Sequence, residues 1–305
     1  RLVSDWSSDV CSSDLIGHGG RGIVMKTVVI TGATSGIGFE AARAIAAQGM
    51  RVIGVGRSAK RCDRAKAALL SVMPEANVDF VCGDLSSQRE VHAVADAILS
   101  LLGDEGLWAL ISNAGGVRSW YTTTADGYEM QFALNHLAGF LLALRLWPRL
   151  KKADGRVILT GSNSHKMMRM HWKDIMFQRR YSCLMAYKQS KLCNMLFAAE
   201  LNRRQSAVKA YVVDPGLVNT DIGSKDTGGL VGAFWKLRRR GGVGPEVPAQ
   251  TYAFLCSRQP APEGLYYHNC RPVAYSKRAD DVADATMLFE LSERLCGVKF
   301  GGGEL

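Results

Sequence analysis

The sequence lacks three features that would each define a class of protein. No apolar run approaches the roughly 20 residues needed to span a bilayer, and the longest candidate, residues 137–146, is interrupted by Arg145. The eight cysteines include no C-x-x-C pair, and the six histidines lack the spacing of metal ligands. We therefore expect reduced thiols, no metal site and a cytoplasmic protein without a transmembrane segment.

The sequence also lacks the charge pattern of a nucleic-acid-binding protein. Its formal net charge is +10, but the basic residues lie in separate clusters that are not interleaved with aromatic side chains. An excess of positive charge equally suits an anionic cofactor or an anionic membrane surface. We expect no nucleic-acid partner. A hydrophobic content of 47% and a charged content of 22% are ordinary for a soluble globular protein.

The first 24 residues differ from the rest of the chain. They are rich in Ser, Gly and Asp and carry no periodic apolar face, so we expect them to be disordered. Residues 5–15 also resemble the translation of a common sequencing-library adapter, and we interpret residues 1–24 as a non-native extension. The alternative is a targeting peptide, but the segment has no apolar core and many acidic residues. Residues 25–305 are expected to form one domain.

From Met25 onward, short apolar strands alternate with longer helical patterns, which is typical of βαβ units around a parallel sheet. This pattern predicts a single doubly wound, Rossmann-type α/β domain with a seven-stranded, mainly parallel sheet and helices on both faces. The strands are predicted near residues 27–31, 51–55, 78–82, 107–112, 156–160, 210–213 and 265–267. The helices are predicted near residues 36–48, 59–72, 88–102, 127–150, 182–204, 247–257 and 281–295. Ligands of such sheets bind beyond the carboxyl ends of the strands.

A glycine-rich segment, TGATSGIG, follows the first predicted strand and opens a helical pattern. A strand that turns into a helix in this way aims unpaired backbone N–H groups and the positive end of the helix dipole at an anion. We interpret it as a phosphate cradle, although the motif alone is equally compatible with a flexible turn. The residues assigned to the cradle are Gly32, Ser35, Gly36, Ile37 and Gly38.

The end of the second predicted strand indicates which dinucleotide is preferred. It ends at Arg57, and no Asp or Glu occurs from residue 51 to residue 62. An acidic residue here would grip a ribose 2′-hydroxyl and favour NAD(H), whereas an arginine can pair with a 2′-phosphate. We therefore predict that NADP(H) is favoured over NAD(H). The alternative interpretation of Arg57 is a solvated surface charge.

Tyr187 and Lys191 are four residues apart in a segment of strong helical character, so both side chains lie on one helix face. A free tyrosine has a pKa near 10, and an ammonium nearby favours the phenolate; a fall of ~3 units corresponds to ~4 kcal/mol. A tyrosine tuned in this way can exchange a proton with an alcohol or alkoxide. The spacing alone is common and mostly structural, but here it follows the fifth strand downstream of a phosphate cradle.

Together these motifs resemble the short-chain dehydrogenase/reductase family over residues 25–295. The resemblance implies that Asp84 and Leu85 contact adenine and that the segment after the sixth strand holds the nicotinamide carboxamide. The further cofactor-binding residues that it implies are Asn113, Ala114 and Gly115 after the fourth strand and Pro215, Gly216, Val218 and Thr220 after the sixth. Asn113 is interpreted as a structural tie between strands rather than as a catalyst.

The same resemblance assigns the catalytic roles. Tyr187 is the proton donor and acceptor, and Lys191 lowers the pKa of that phenol and binds the nicotinamide ribose. Ser162 hydrogen-bonds the substrate oxygen, with Ser164 as the alternative. Asn135 holds a water in a relay towards Lys191, or else it satisfies a neighbouring backbone group.

A narrower likeness concerns the substrate. The segments that resemble the retinol dehydrogenase and WW-domain oxidoreductase group are residues 124–132, 135–137, 162–165, 181–182, 186–194, 264–270 and 288–292. The phrase from Tyr187 to Leu196 also resembles protochlorophyllide reductases, where Cys193 would be a proton donor instead of a packing thiol. We expect an NAD(P)-dependent oxidoreductase acting on a lipophilic carbonyl or alcohol. The alternatives are a protochlorophyllide reductase-like enzyme and a cofactor-bound sensor or binding protein with vestigial activity.

Two segments are expected to select the substrate: residues 165–181, which contain four methionines and a tryptophan, and residues 220–248, with Phe234 and Trp235. Thioethers and aromatic rings accommodate irregular apolar shapes, although ordinary core packing explains each of them equally well. Residues 230–240 pair apolar with basic side chains and suit peripheral contact with an anionic membrane. Helices near residues 127–150 and 182–204 would pair in a homodimer, as the resemblance implies.

Overall fold

Short, β-branched runs form the strands of a central sheet. The computed structural model describes residues 25–219 and 241–301, so residues 1–24, Thr220 and the expected membrane-contact segment at 230–240 lie outside the description. β1, with the sequence TVVIT, is buried along its whole length. The strands are β1 (Thr27–Thr31), β2 (Arg51–Gly56), β3 (Val78–Cys82), β4 (Ala109–Ser112), β5 (Arg156–Thr160), β6 (Lys209–Val213), β7 (Tyr266–His268) and β8 (Arg271–Pro272).

The strand order is β3-β2-β1-β4-β5-β6-β7-β8. Every described pairing is parallel except the last, between β7 and β8. From β1 the chain winds first to β2 and β3 on one side and then to β4, β5 and β6 on the other. This reversal of direction opens a crevice at the carboxyl ends of β1 and β4, where such sheets bind ligands.

The predicted seven strands are confirmed, and the sheet has an eighth that the sequence did not indicate. Asn269 and Cys270 have φ values of 48° and 60°, which turn the chain back on itself after β7. Two positive φ values in succession are those of a tight hairpin turn. β8 is only two residues long and contains Pro272 at the sheet edge, so it leaves no alternating pattern to read.

Helices cover both faces of the sheet. They are α1 (Gly36–Ala46), α2 (Ala59–Val72), α3 (Gln88–Leu102), α4 (Met130–Phe132), α5 (Ala138–Arg145), α6 (Trp147–Lys152), α7 (Cys183–Arg204), α8 (Glu246–Ser257) and α9 (Val282–Cys296). Single helical turns of 3₁₀ type occupy Asn163–Met167, Trp172–Asp174 and Lys277–Asp280.

The single helix predicted over residues 127–150 is wrong. A π-helical turn, Ala133–Leu137, separates α4 from α5, and α6 begins afresh with a proline in its first turn. Pro148 lacks the backbone N–H that a continuing helix would need, which explains the break after Arg145. The π turn has no such local cause, and it carries Asn135.

Two hydrophobic clusters lie on opposite faces of the sheet. Val29 belongs to the cluster with α3, α5, α7 and α9, whereas Val28 and Ile30 belong to the cluster with α1 and α8. Successive side chains of a strand point to opposite faces, so this alternation places helices on both sides. The doubly wound α/β prediction is confirmed. No helix within residues 25–219 and 241–301 combines the length and apolarity that crossing a membrane requires.

Candidate active site

A cleft of about 450 Å³ lies at the carboxyl ends of β1 to β4. Most of the predicted cofactor residues from the first half of the chain share its lining. They are Gly32, Ser35, Gly36 and Ile37 after β1, Arg57 after β2, Asp84 and Leu85 after β3, and Asn113, Ala114 and Gly115 after β4. The size is that of a small-molecule or cofactor site.

The glycine-rich segment forms the strand–turn–helix predicted from the sequence. Gly32 and Gly36 have φ values of +68° and +58°, which favour glycine, and α1 begins at Gly36. A Cβ on Gly38 would lie 2.4 Å from the Gly32 carbonyl oxygen and 2.6 Å from Asn113 Nδ2. Only glycine therefore lets α1 approach β1 and β4 so closely, and Gly36 and Ile37 of its first turn line the cleft.

Asn113 ties β4 to β1, as interpreted from the sequence. Its backbone N–H donates to Thr31 Oγ1 at 2.9 Å, and its Nδ2 donates to the Thr31 carbonyl at 3.0 Å. Its Oδ1 is buried at the cleft and finds no hydrogen-bond partner among the described residues. A buried acceptor left unpaired costs about 1–3 kcal/mol, so this oxygen fits a donor supplied by a bound ligand.

The cleft is basic at the end of β2. Arg57 and Arg61, both exposed, line it together with Gly56. Sequence reasoning missed Arg61, although its position four residues after Arg57, in the first turn of α2, was a signal. Asp84 also lines the cleft, with its Oδ1 accepting from the N–H and the hydroxyl of Ser86 at 3.0 and 2.8 Å.

The predicted catalytic pair lies on α7, which begins after its N-cap Ser182. Lys191 Nζ is 5.5 Å from the centroid of the Tyr187 ring, so the two side chains share one face as the spacing predicts. Tyr187 is half-buried and Lys191 is 5% exposed. Lys191 Nζ donates to the Thr160 carbonyl at 3.0 Å, at the end of β5. Burial lowers the pKa of Lys191 to about 8, against the opposing charge of Asp214.

Ser162 leaves β5 in an extended conformation and caps the following 3₁₀ turn. Its Oγ accepts from Ser164 twice, from the N–H at 3.3 Å and from the hydroxyl at 3.0 Å. Because a hydroxyl has one hydrogen, Ser162 keeps its own for another acceptor. Ser164 therefore holds the Ser162 oxygen in place and leaves the Ser162 hydrogen available to another acceptor. His165 Nδ1 lies 2.7 Å from the Ser162 carbonyl, which fixes the turn.

Asn135 lies in the π turn and connects the two halves of the site. Its Oδ1 accepts from the Gly116 N–H at 2.8 Å, and its Nδ2 donates to the Gly116 carbonyl at 3.1 Å and to Ser190 Oγ at 3.0 Å. The side chain thus satisfies a neighbouring backbone, which was the alternative interpretation. Gly116 and Leu134 line the cofactor cleft, so the cleft reaches this turn. The relay water remains a prediction.

The segment after β6 is only partly described. Gly216 has a φ of +70°, and its N–H donates to Asp214 Oδ1 at 2.9 Å. Val218 pairs with Val243 in a short parallel bridge. From this segment only Asn219 is among the described lining of the cleft, so contacts of Pro215, Gly216 and Val218 with a nicotinamide remain predictions, and Thr220 lies beyond the described part.

The methionine-rich segment after Ser162 divides into core and surface. Met168, Met170 and Phe177 are buried, whereas Met167 is 67% exposed. Cys193 is also buried, with its Sγ 3.9 Å from Met170 Sδ, and burial raises the pKa of this thiol. Its surroundings are those of a packing thiol rather than a proton donor.

Comparisons with known proteins bear on this arrangement. Residues 26–228 match the family model described as short chain dehydrogenase. Retinol dehydrogenase 12 of Mus musculus is 34% identical over 280 residues, which cover 90% of this chain and 87% of the relative.

Solved structures share the fold. The crystal structure of an uncharacterized protein from Mycobacterium Paratuberculosis is 31% identical, covers 91% of this chain and 95% of its own, and superposes with a TM-score of 0.70. A short-chain dehydrogenase from Sphingobium yanoikuyae in complex with NADPH is 22% identical, with coverages of 92% and 99% and a TM-score of 0.63.

Proposed function

Because the chain belongs to the short-chain dehydrogenase family, in its retinol dehydrogenase-like group, we propose that it transfers a hydride between NADP(H) and a lipophilic carbonyl or alcohol. Membership makes it an NAD(P)-dependent oxidoreductase acting on alcohol or carbonyl groups. The proposed part is the cofactor preference, the residue roles and the substrate class. The observation that carries it is Lys191, buried and charged beside Tyr187 on one face of α7.

When bound, the nicotinamide supplies or accepts the hydride. The chain's own residues would hold the rest of the dinucleotide: the first turn of α1 would hold the pyrophosphate, and Asp84 and Leu85 would contact the adenine. Arg57 and Arg61 line the cleft together and can pair with a 2′-phosphate; Asp84 also lines it, with its Oδ1 engaged by the N–H and the hydroxyl of Ser86. The two arginines therefore support NADP(H).

Tyr187 exchanges the proton with the substrate oxygen in the proposed reaction. With a pKa of about 8, Lys191 is mostly an ammonium at pH 7, and its charge favours the phenolate of Tyr187. In reduction the phenol donates its proton to the forming alkoxide, and in oxidation the phenolate takes the alcohol proton. Ser162 donates its remaining hydrogen to the same substrate oxygen, which fixes the reacting carbon.

Exposed apolar side chains in the segments that carry the proposed site residues support a lipophilic substrate. Met167, Leu184 and Leu217 are all exposed, and they come from the three segments that carry Ser162, Tyr187 and Gly216. Exposed apolar side chains of this kind are available to an apolar ligand. The retinol dehydrogenase named above is consistent with a substrate of this class.

The proposal is tested with a panel of aldehydes, ketones and alcohols of increasing apolar size, assayed with NADPH and with NADH. We expect turnover with the larger apolar members and a higher kcat/KM with NADPH. In Tyr187→Phe, kcat should fall about 10³-fold, because general acid–base catalysis contributes at this scale. Its NADPH affinity, measured by fluorescence, should stay within about twofold of the wild type.

The control for the panel is Tyr211→Phe, which removes a phenol that donates to the Pro262 carbonyl and lies in the cluster on the opposite face of the sheet from α7. It should retain wild-type turnover. NADPH binding without turnover on any carbonyl or alcohol would contradict the proposal and favour the cofactor-bound sensor. Equal or better kcat/KM with NADH would contradict the cofactor preference alone.

A further inference from the structure

A chain of buried polar side chains leads away from Lys191 and is not used by the proposed reaction. It consists of Asn194 on α7, His136 in the π turn and Ser292 on α9, and each is at most 2% exposed. A buried polar group is tolerated where its hydrogen bonds are satisfied, so the partners of these three side chains explain their presence.

Asn194 is the member nearest to the catalytic lysine. Its Nδ2 donates to two backbone carbonyls, that of Asn135 at 3.0 Å and that of Thr160 at 3.1 Å. The Thr160 carbonyl is also the acceptor of Lys191 Nζ. Lys191 and Asn194 therefore hold the same oxygen, and they stand three apart on one helix face.

We infer that Asn194 is a positioning residue for Lys191: by fixing the Thr160 and Asn135 carbonyls it sets where the ammonium of Lys191 lies beside Tyr187. The inference rests on the proposed function, in which that ammonium acts on the phenol. The hydrogen bonds described for Asn194 go to Asn135, Thr160 and His136, none of which is in the described cleft lining.

The orientation of the Asn194 amide determines which ring nitrogen of His136 carries the hydrogen. The carbonyls of Asn135 and Thr160 can only accept, so the Asn194 atom that bonds them is its donor, Nδ2. The other atom of the amide, Oδ1, therefore faces His136 Nδ1, at 3.4 Å. Oδ1 can only accept, and Nδ1 therefore carries the hydrogen. Burial lowers the pKa of His136 to about 4, which keeps the ring neutral and leaves Nε2 bare as an acceptor.

Ser292 completes the chain from the C-terminal helix. Its Oγ lies 2.9 Å from His136 Nε2 and 2.8 Å from the Leu288 carbonyl, two acceptors for its single hydrogen. The ring of His136 is also held between Phe132, Phe140 and Phe197, with centroids 5.4–6.2 Å away. Ser292 on α9 therefore holds the ring of His136, and that ring in turn holds the side chain of Asn194 in one rotamer.

Loss of Asn194 should act on Lys191 in one direction. The Thr160 and Asn135 carbonyls would lose a shared donor, and the carbonyl that holds the ammonium would no longer be fixed. Weaker hydrogen bonding to the charged form and a more apolar surrounding both lower the pKa of a lysine. A smaller ammonium fraction then weakens the effect on the Tyr187 phenol.

The test compares Asn194→Leu with Asn202→Leu in the whole chain. Asn202 lies on the same helix, and its amide bonds only the backbone of Ala210 at the far end. In Asn194→Leu we expect kcat to fall about tenfold with KM within about twofold, and the pKa read from the pH profile of alcohol oxidation to move up by about half a unit. Asn202→Leu should change neither.

A second readout needs no turnover. The Lys191 amine can be titrated by NMR with ¹³Cε-labelled lysine, its signal assigned by its loss in Lys191→Arg. We expect its pKa to fall by about half a unit or more in Asn194→Leu and to stay unchanged in Asn202→Leu. If the wild type turns over no substrate, the proposed function fails, and this titration still decides the role of Asn194.

His136→Phe guards against misfolding of the first variant. Phenylalanine fits among the three surrounding rings but leaves Asn194 Oδ1 without its donor. The same shifts, at about a third of the size, are expected there. An unchanged pH profile together with an unchanged Lys191 titration in Asn194→Leu would overturn the inference, as would equal losses in Asn202→Leu.

Discussion

The two ends of the site are built in different ways. The dinucleotide end is made of backbone and glycine at the ends of β1 to β4, and each part lies within a few residues of its own strand. The reactive end is made of side chains that meet from distant elements: Lys191 reaches β5, Asn135 reaches Gly116, and Asn194 joins both. The first depends on local turns, whereas the second depends on how α7, the π turn and α9 pack together.

The largest effect is expected from a substitution at Gly38, in the part of the site that depends on local turns. Because a Cβ there would meet the Gly32 carbonyl oxygen at 2.4 Å, Gly38→Ala must push α1 away from β1. We expect NADPH affinity to fall by about 10³-fold, since the cradle loses several backbone contacts with the phosphates at once. Fluorescence titration with NADPH measures this.

The control for Gly38 is Gly241→Ala, since in the described part of the chain no atom beyond its chain neighbours lies within 4 Å of the position of an added Cβ there. NADPH affinity should then be unchanged. Unaltered NADPH binding in Gly38→Ala would show that the dinucleotide end does not depend on this close approach.

At the reactive end, the two serines should differ in effect. Ser162→Ala removes the proposed donor to the substrate oxygen, and kcat should fall about 10²-fold. Ser164→Ala leaves that donor but removes one of the two bonds that hold its oxygen, and kcat should fall about fivefold. Steady-state kinetics on one substrate with NADPH measure both.

A reversed order of these losses would assign the substrate contact to Ser164 instead. Ser257→Ala is the matched control, because its hydroxyl bonds the Phe254 carbonyl on the opposite face of the sheet. It should have wild-type kinetics.

The smallest expected effect is the contribution of His136, at the reactive end, to the pH dependence of the free energy of unfolding. Burial lowers the pKa of His136 from 6.5 to about 4. The unfolded chain therefore binds the extra proton between these two pH values, and the stability is full above pH 6.5 and is lost as pH falls towards 4. By pH 5 the loss should be about 2 kcal/mol.

Urea unfolding of the wild type and of His136→Phe at pH 7 and pH 5 isolates this contribution. The pH-dependent loss should be smaller in the variant by about the same 2 kcal/mol. Equal losses in both proteins would mean that His136 takes up its proton without cost, and that the chain from Ser292 to Asn194 does not require the neutral ring.

Prediction from sequence succeeded where the pattern is local. The alternation of strands and helices, the glycine cradle and the shared face of Tyr187 and Lys191 all follow from spacing along one or two elements. It failed where the cause is non-local. β8, the π turn within the predicted helix and the hydrogen bonds of Ser164 could not be read, because each depends on which neighbour the segment meets.

The sequence by itself determined that a strand would turn into a helix through glycines and that a basic residue would follow β2. It also determined that a phenol and an amine would share a helix face. Backbone sterics and helical periodicity act within a few residues, so these features can be read from local spacing. Only the tertiary structure decided that Arg61 joins Arg57 in the cleft lining, that Asn113 has a buried oxygen with no partner among the described residues, and that Asn194 shares the Thr160 carbonyl with Lys191. Burial and hydrogen bonding are properties of atoms brought together across the fold, and residue spacing carries no record of them.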